Sequence, residues 1–333
     1  MAIKYRTLIL VSSLIIISSL AFLIFIYKKQ SNIRLQSPIS LQKETIPTPK
    51  PLDKYSFENL RNNEFKGSEI TFGNIIKDAE TYISKLFYYY SDSKKVSGLA
   101  NIPKNVENPP VIVMLRGYVD QKIYTTGEGT KRAGEVFARN GFLTLAPDFL
   151  GYGESDNPSE NSIEERFETY TTVLNLLASI KPNNKIGIWA HSNGGQIAFS
   201  ILAITGKSYP TVLWAPVTKP FPYSILYYTD DFEDHGKKLR KIVADFEKDY
   251  DIEKYTFTSY KELINAPIEL HQGGSDQAVP QRWSDQFAAE MKKKDKNISY
   301  FTYPGDDHNF AKGSWNLVVQ RNIAFFRHHL LSL

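Results

Sequence analysis

Short apolar runs alternate with amphipathic stretches along most of this chain. The runs at 111–115, 142–146, 186–189, 210–214, 267–271 and 299–303 are bounded by Gly, Pro, Asn or charged residues, the pattern of short buried strands. Between them the period changes. Ile163, Phe167, Tyr170, Val173, Leu174, Leu177 and Ile180 recur at helical spacing until Pro182 stops the run, and Ser162 with Glu165 forms a capping-box pattern at its start. Asn140-Gly141 ends another predicted helix, and a further one opens at Gln196. Strands and helices in alternation imply a doubly wound, mostly parallel sheet covered on both faces. Residues 65–103 add antiparallel edge strands, with 82–90 one of them.

Two stretches depart from this alternation. Residues 8–27 carry no charge and are apolar enough to form a transmembrane helix; at about 1.5 Å per residue they match the roughly 30 Å hydrocarbon core of a bilayer. A signal peptide has a shorter apolar region and a small-residue cleavage site, whereas Tyr27-Lys28-Lys29-Gln30 follows here. Residues 1–7 are then a short tail and 28–53 a Pro-bearing linker containing Ile46-Pro47-Thr48-Pro49. Basic residues flank the span on both sides, and the large domain that follows it suggests a single-pass anchor with an extracytoplasmic domain. The second departure is 216–264, far longer than an ordinary connection and rich in aromatics, and is read as a cap or lid. The catalytic domain is expected over 54–333.

Composition adds mainly exclusions. A formal net charge of +4 leaves no basic surface of the kind nucleic acid requires, and Lys292-Lys293-Lys294 reads as a solvated helix end. With no cysteine there is no disulfide framework and no thiol nucleophile. No metal-ligand spacing such as H-E-x-x-H occurs, and neither a metal nor a cofactor is expected.

The candidate chemistry lies at 190–195, Ala-His-Ser-Asn-Gly-Gly, between a strand pattern and a helix pattern. A serine on so tight a turn needs small residues two before and two after it, and Ala190 and Gly194 supply them: this is the nucleophile elbow of an α/β-hydrolase, with alanine for the usual first glycine. That fold orders its catalytic residues serine, acid, histidine. Asp276 follows the 267–271 strand on a Gly-rich loop, and His308 follows the 299–303 strand. A hydroxyl needs a base to attack a carbonyl; His308 suits that role, with Asp276 to orient the imidazole. The oxyanion is assigned to the backbone N–H of Asn193 and of Tyr118, in the loop after 111–115. Arg116 is expected to make a structural salt bridge. His191 is expected to point away from the site, His271, His328 and His329 to lie outside it, and His235 at most to touch substrate.

From about Tyr82 to the C-terminus the chain resembles the catalytic domain of the prolyl oligopeptidase-type serine peptidases and their single-domain relatives. The resemblance rests on Ser192-Asn193-Gly194-Gly195, Val96-Ser97-Gly98-Leu99, Asp148-Phe149-Leu150-Gly151-Tyr152-Gly153 and the Asp276 loop ending in Val279-Pro280. It implies a hydrolase acting on a small peptide or acyl-ester substrate through an acyl-enzyme. Arg116 stands where relatives often have histidine, and the chain has no room for a β-propeller. The dienelactone hydrolases share the fold but use a cysteine nucleophile, absent here. A carboxylesterase, an acyltransferase on the same residues and a non-catalytic binding module remain alternatives, and the oligomeric state is open.

Overall fold

The first three strands, the aromatic-rich β2 (Tyr82–Ser91) with β1 (Thr71–Asp78) and β3 (Lys94–Pro103) on either side, pair antiparallel in sequence order. In the computed structural model, which describes residues 49–230 and 232–331, they lead into a parallel sheet. Its strands are β4 (Val111–Leu115), β5 (Leu143–Pro147), β6 (Ile186–His191), β7 (Thr211–Trp214), β8 (Ile268–Gly273) and β9 (Ile298–Tyr303). The strand order is β1-β2-β3-β5-β4-β6-β7-β8-β9, with β3 antiparallel to β5 and every later pairing parallel. This is the mostly parallel sheet of the α/β-hydrolase fold. Every residue of β4, β7 and β8 is buried; β4 and β7 are largely apolar strands covered on both faces, whereas β8 also buries Glu269, His271 and Gln272, each hydrogen-bonded.

Eight α-helical segments accompany the sheet among the described residues: α1 (Phe57–Asn62), α2 (Lys131–Arg139), α3 (Ser162–Ser179), α4 (Asn193–Thr205), α5 (Tyr223–Leu226), α6 (Lys237–Glu247), α7 (Gln281–Lys293) and α8 (Trp315–Leu330). The α3 boundary differs from expectation by one residue. Asn161, rather than Ser162, caps the helix, its Oδ1 accepting from Ile163 N at 3.0 Å and Glu164 N at 3.2 Å. An amide side chain reaches two free N–H groups where Ser162 has already entered the helix.

Packing reaches N-terminally to Leu52, which is buried and whose N–H donates to the Tyr250 hydroxyl at 3.2 Å. The transmembrane helix expected at 8–27, the tail before it and most of the linker fall within residues 1–48, outside the described residues. Among those described, no helix is long and apolar enough to cross a membrane.

The insertion at 216–264 contributes α5, α6 and two short 3-10 segments. Phe257 is fully buried against Phe199 and Phe287, while Phe221, Phe246 and Tyr255 surround Phe167 of α3. These aromatics are core. Tyr223, Tyr227 and Tyr228 instead gather around Trp283, with ring centroids 4.7 to 6.4 Å from it.

Candidate active site

β6 ends at His191 and α4 begins at Asn193, so the chain turns on Ser192 alone. Ser192 takes φ 55° and ψ −120°, a conformation that costs a non-glycine residue on the order of 1–3 kcal/mol unless its surroundings over-determine it. Here they do. Its N–H donates to Trp214 O at 2.9 Å, and its carbonyl accepts from Gly195 N at 3.0 Å and Val217 N at 2.9 Å. A Cβ on Gly194 would stand 2.1 Å from the Leu115 carbonyl oxygen, so only glycine fits there. Gly117 comes close from the β4 loop: a Cβ there would lie 2.9 Å from the Ser192 Cβ.

That approach puts Tyr118, the next residue, at the edge of the Ser192 turn. Its side chain is 78% exposed, so packing does not explain the residue's placement. Asn193 is the first residue of α4, and its N–H is among the four at a helix start that have no intrahelical acceptor.

Asp276 and His308 come from the loops after β8 and β9. His308 Nδ1 donates to Asp276 Oδ2 at 2.8 Å, and the Asp276 side chain is completely buried. The other carboxylate oxygen accepts from Ala278 N and Val279 N, both at 2.8 Å, and Gln272 Nε2 donates to Oδ2 at 2.9 Å. Burial raises the Asp276 carboxyl, but the hydrogen bond and charge of His308, with the Val279 and Gln272 donors, outweigh it and hold the group below its ordinary value. The His308 loop is shaped by Asp306, whose carboxylate accepts from the backbone N–H of Asp307, Lys312 and Ser314.

His191 corrects the expectation that it points away. It is buried, its ring centroid lies 4.6 Å from that of His308, and its Nε2 donates to the His308 carbonyl oxygen at 3.1 Å. Burial, and then the neighbouring charge of His308, push its pKa down to about 3. A neutral, buried imidazole thus backs the partly exposed one.

Arg116 also differs. It makes no ion pair among the described residues. Its guanidinium donates to the carbonyls of Gly117 at 2.9 Å and Asp148 at 3.0 Å and lies over the rings of Tyr152 and Tyr124, at 4.1 and 4.6 Å. The Asp148 carboxylate is occupied elsewhere, accepting from Ser97 Oγ, Tyr124 OH and Thr126 Oγ1. The remaining histidines lie apart from this cluster: His271 is fully buried against Glu269, Tyr303 and Asn322 within the sheet and α8. No group of three His, Asp or Glu among the described residues is placed to hold a metal ion.

A cleft of about 390 Å³ opens beside the Ser192 turn, lined by Gly117, Tyr118, Asn193 and Gln196 and by the charged residues Glu165, Arg166 and Glu168. Ile225 and Leu239 of the insertion wall it on another side. A second cavity of about 420 Å³ lies toward His308, lined in part by His191, Asn309 and Trp315. Reasoning from sequence missed Gln272, Asp306, Arg166 and Gln196. Gln272 had a signal, since it ends the strand that carries the Asp276 loop; the other three had none.

The sequence model of the prolyl oligopeptidase family matches residues 133–332. A Caenorhabditis elegans protein named dipeptidyl peptidase family member 6 is 24% identical over 141 residues, 40% of this chain but only 18% of that relative's length. Among solved structures, acetyl xylan esterase 1 from a Thermoanaerobacterium species superposes with a TM-score of 0.59 at 15% identity, covering 84% of this chain and 95% of that one. An acylaminoacyl peptidase from Pyrococcus horikoshii gives 0.55 at 19% identity, over 76% of this chain and 42% of its own. These likenesses establish the fold.

Proposed function

The chain belongs to the prolyl oligopeptidase family, and from that premise we propose a serine hydrolase that cleaves a peptide or ester bond through an acyl-enzyme on Ser192. The observation that carries this reading is the 2.8 Å pairing of His308 with a buried Asp276, with the His308 carbonyl held by His191, the residue before the strained Ser192 turn. In the proposed reaction His308 takes the Ser192 proton as the hydroxyl attacks the substrate carbonyl. The N–H groups of Asn193 and Tyr118 receive the oxyanion. His308 then gives its proton to the leaving alcohol or amine, and water repeats the attack on the acyl-enzyme. Asp276, held ionised, keeps the imidazole in the tautomer with Nε2 free and stabilises the imidazolium. The charge-free stretch at 8–27 supports a second part of the proposal, that the hydrolase is tethered to a membrane with its catalytic domain extracytoplasmic.

A serine-directed fluorophosphonate is the direct test, followed by a panel of aminoacyl, peptidyl and short-chain acyl chromogenic substrates. Labelling mapped to Ser192 and abolished in Ser192→Ala is expected. Labelling at another serine, or none in folded protein, would sink the assignment.

A further inference from the structure

Arg166 is a cation that lines the cleft together with Glu165 and Glu168, neither of which it bonds. Its Nη2 donates to Gln196 Oε1 at 2.5 Å and reaches the Ser224 hydroxyl at 3.5 Å, both neutral groups. Its Nε is buried and has no acceptor. Among the described residues it forms no ion pair, although guanidinium groups are normally buried only with one. Burial lowers its pKa, and among its neighbours only Tyr170 opposes that shift; no carboxylate contributes.

The two nearby glutamates on α3 do not supply the missing charge. Glu168 is engaged by Lys94 Nζ at 2.5 Å and by Ser159 N at 2.7 Å. Glu165 precedes Arg166 and points about 100° away around the helix. Burial and then Glu168 raise its pKa, with no contribution from Arg166.

Position relates this cation to the nucleophile. Gln196, the residue that holds Arg166, lies in the first turns of α4, the helix that starts directly after Ser192, and lines the same cleft as Asn193. The cleft that contains Arg166 is bordered by Tyr118 and Asn193, the proposed oxyanion donors, and not by His308. Because His308 must protonate the leaving group, that group lies toward His308 and the acyl group lies in the cleft.

We propose that the acyl portion of the substrate carries a carboxylate, and that Arg166, presented by Gln196, is the specificity-determining residue that receives it. The inference rests on the hydrolase reading and deepens it. The carboxylate has two possible sources: a half-ester or half-amide of a dicarboxylic acid, or an acidic residue on the acyl side of a peptide bond. Nη1 and the remaining Nη2 donor give a carboxylate the end-on fork geometry that a guanidinium offers.

The test uses full-length protein in detergent and substrates differing only in charge. The first pair is p-nitrophenyl butyrate and the p-nitrophenyl monoester of glutaric acid. The second is the p-nitroanilides of acetyl-Gln and acetyl-Glu. A preference for the carboxylate member of about 10- to 100-fold in kcat/KM is expected in at least one pair, the size of one charge-assisted hydrogen bond. The pair that shows it identifies the source. Arg166→Met should bring that ratio to one or below, and Arg166→Lys should retain part of it. A ratio near or below one in the unsubstituted protein, which needs no folded variant, overturns the inference. So does a ratio that survives Arg166→Met.

Binding separates this proposal from the hydrolase reading. Glutarate, but not butyrate, should raise the melting temperature of Ser192→Ala, and the rise should vanish in Ser192→Ala combined with Arg166→Met. Such a rise without turnover of any substrate keeps the carboxylate site and removes the hydrolase reading. Fluorophosphonate labelling of Ser192 with no glutarate effect and no charge preference does the reverse.

Discussion

The Ser192 turn, Asp276 and His308 would act as a unit, so their substitutions should not add. Alanine at any one of the three is expected to lower kcat by several orders of magnitude, and double variants should lose little more. Strictly additive losses in single-turnover assays would place one of them outside the mechanism. His191 carries a different expectation. Its pKa falls from 6.5 to about 3 in the folded chain, so between those values the unfolded state binds more protons than the native state. Stability therefore rises with pH across that window and is lost as pH falls below about 6.5. The groups facing it are His308 and Asp276. At about 1.36 kcal/mol for each pH unit crossed, the part lost between pH 6.5 and 4.5 amounts to up to about 2 kcal/mol. Denaturant melts of His191→Gln should show a flatter acid limb than the parent; an unchanged slope would mean that His191 does not titrate in this way. The three proposed catalytic residues were legible because each sits next to a strand end that the hydrophobic pattern already marks. His191 was misread because its direction depends on where the β9 loop lands.

At the level of elements, the 216–264 insertion has two faces with separable consequences. Phe257 is fully buried between Phe199 and Phe287, so Phe257→Ala is expected to cost about 3–5 kcal/mol in chemical denaturation. Phe232 is 52% exposed, and Phe232→Ala should change stability by less than about 0.5 kcal/mol. Comparable losses from both would contradict the division of the insertion into core and surface. The start of α3 offers a finer check. Asn161→Ala removes the side chain that caps two N–H groups and is expected to destabilise by about 1 kcal/mol, whereas Ser162→Ala should be close to neutral. A capping-box pattern marks a helix start only to within a residue, because Asn and Ser adjacent in sequence can both serve. Which of them takes the non-helical conformation depends on how the preceding loop arrives.

For the molecule as a whole, the boundary between tether and domain is testable by truncation. A chain starting at Lys50 keeps Leu52 and Tyr55, both buried, and should be as active on small substrates as the full-length protein. A chain starting at Ser56 loses both side chains and should melt at a lower temperature. If residues 8–27 form the proposed anchor, the full-length protein should stay with membranes through alkaline carbonate, and the Lys50 form should not. Equal partitioning of the two would remove the anchor reading. The sequence by itself determined the strand and helix alternation, the edge hairpins and the positions of Ser192, Asp276 and His308. Period, turn chemistry and the small residues of a tight elbow are local, and each is written within a few neighbouring positions. Only the tertiary structure decided that Arg116 rests on carbonyls and aromatic faces, that His191 backs His308, and that Arg166 meets Gln196 thirty positions away in sequence. Those contacts join side chains from separate elements, and nothing in the local pattern of a helix says which of its polar residues will face a cleft.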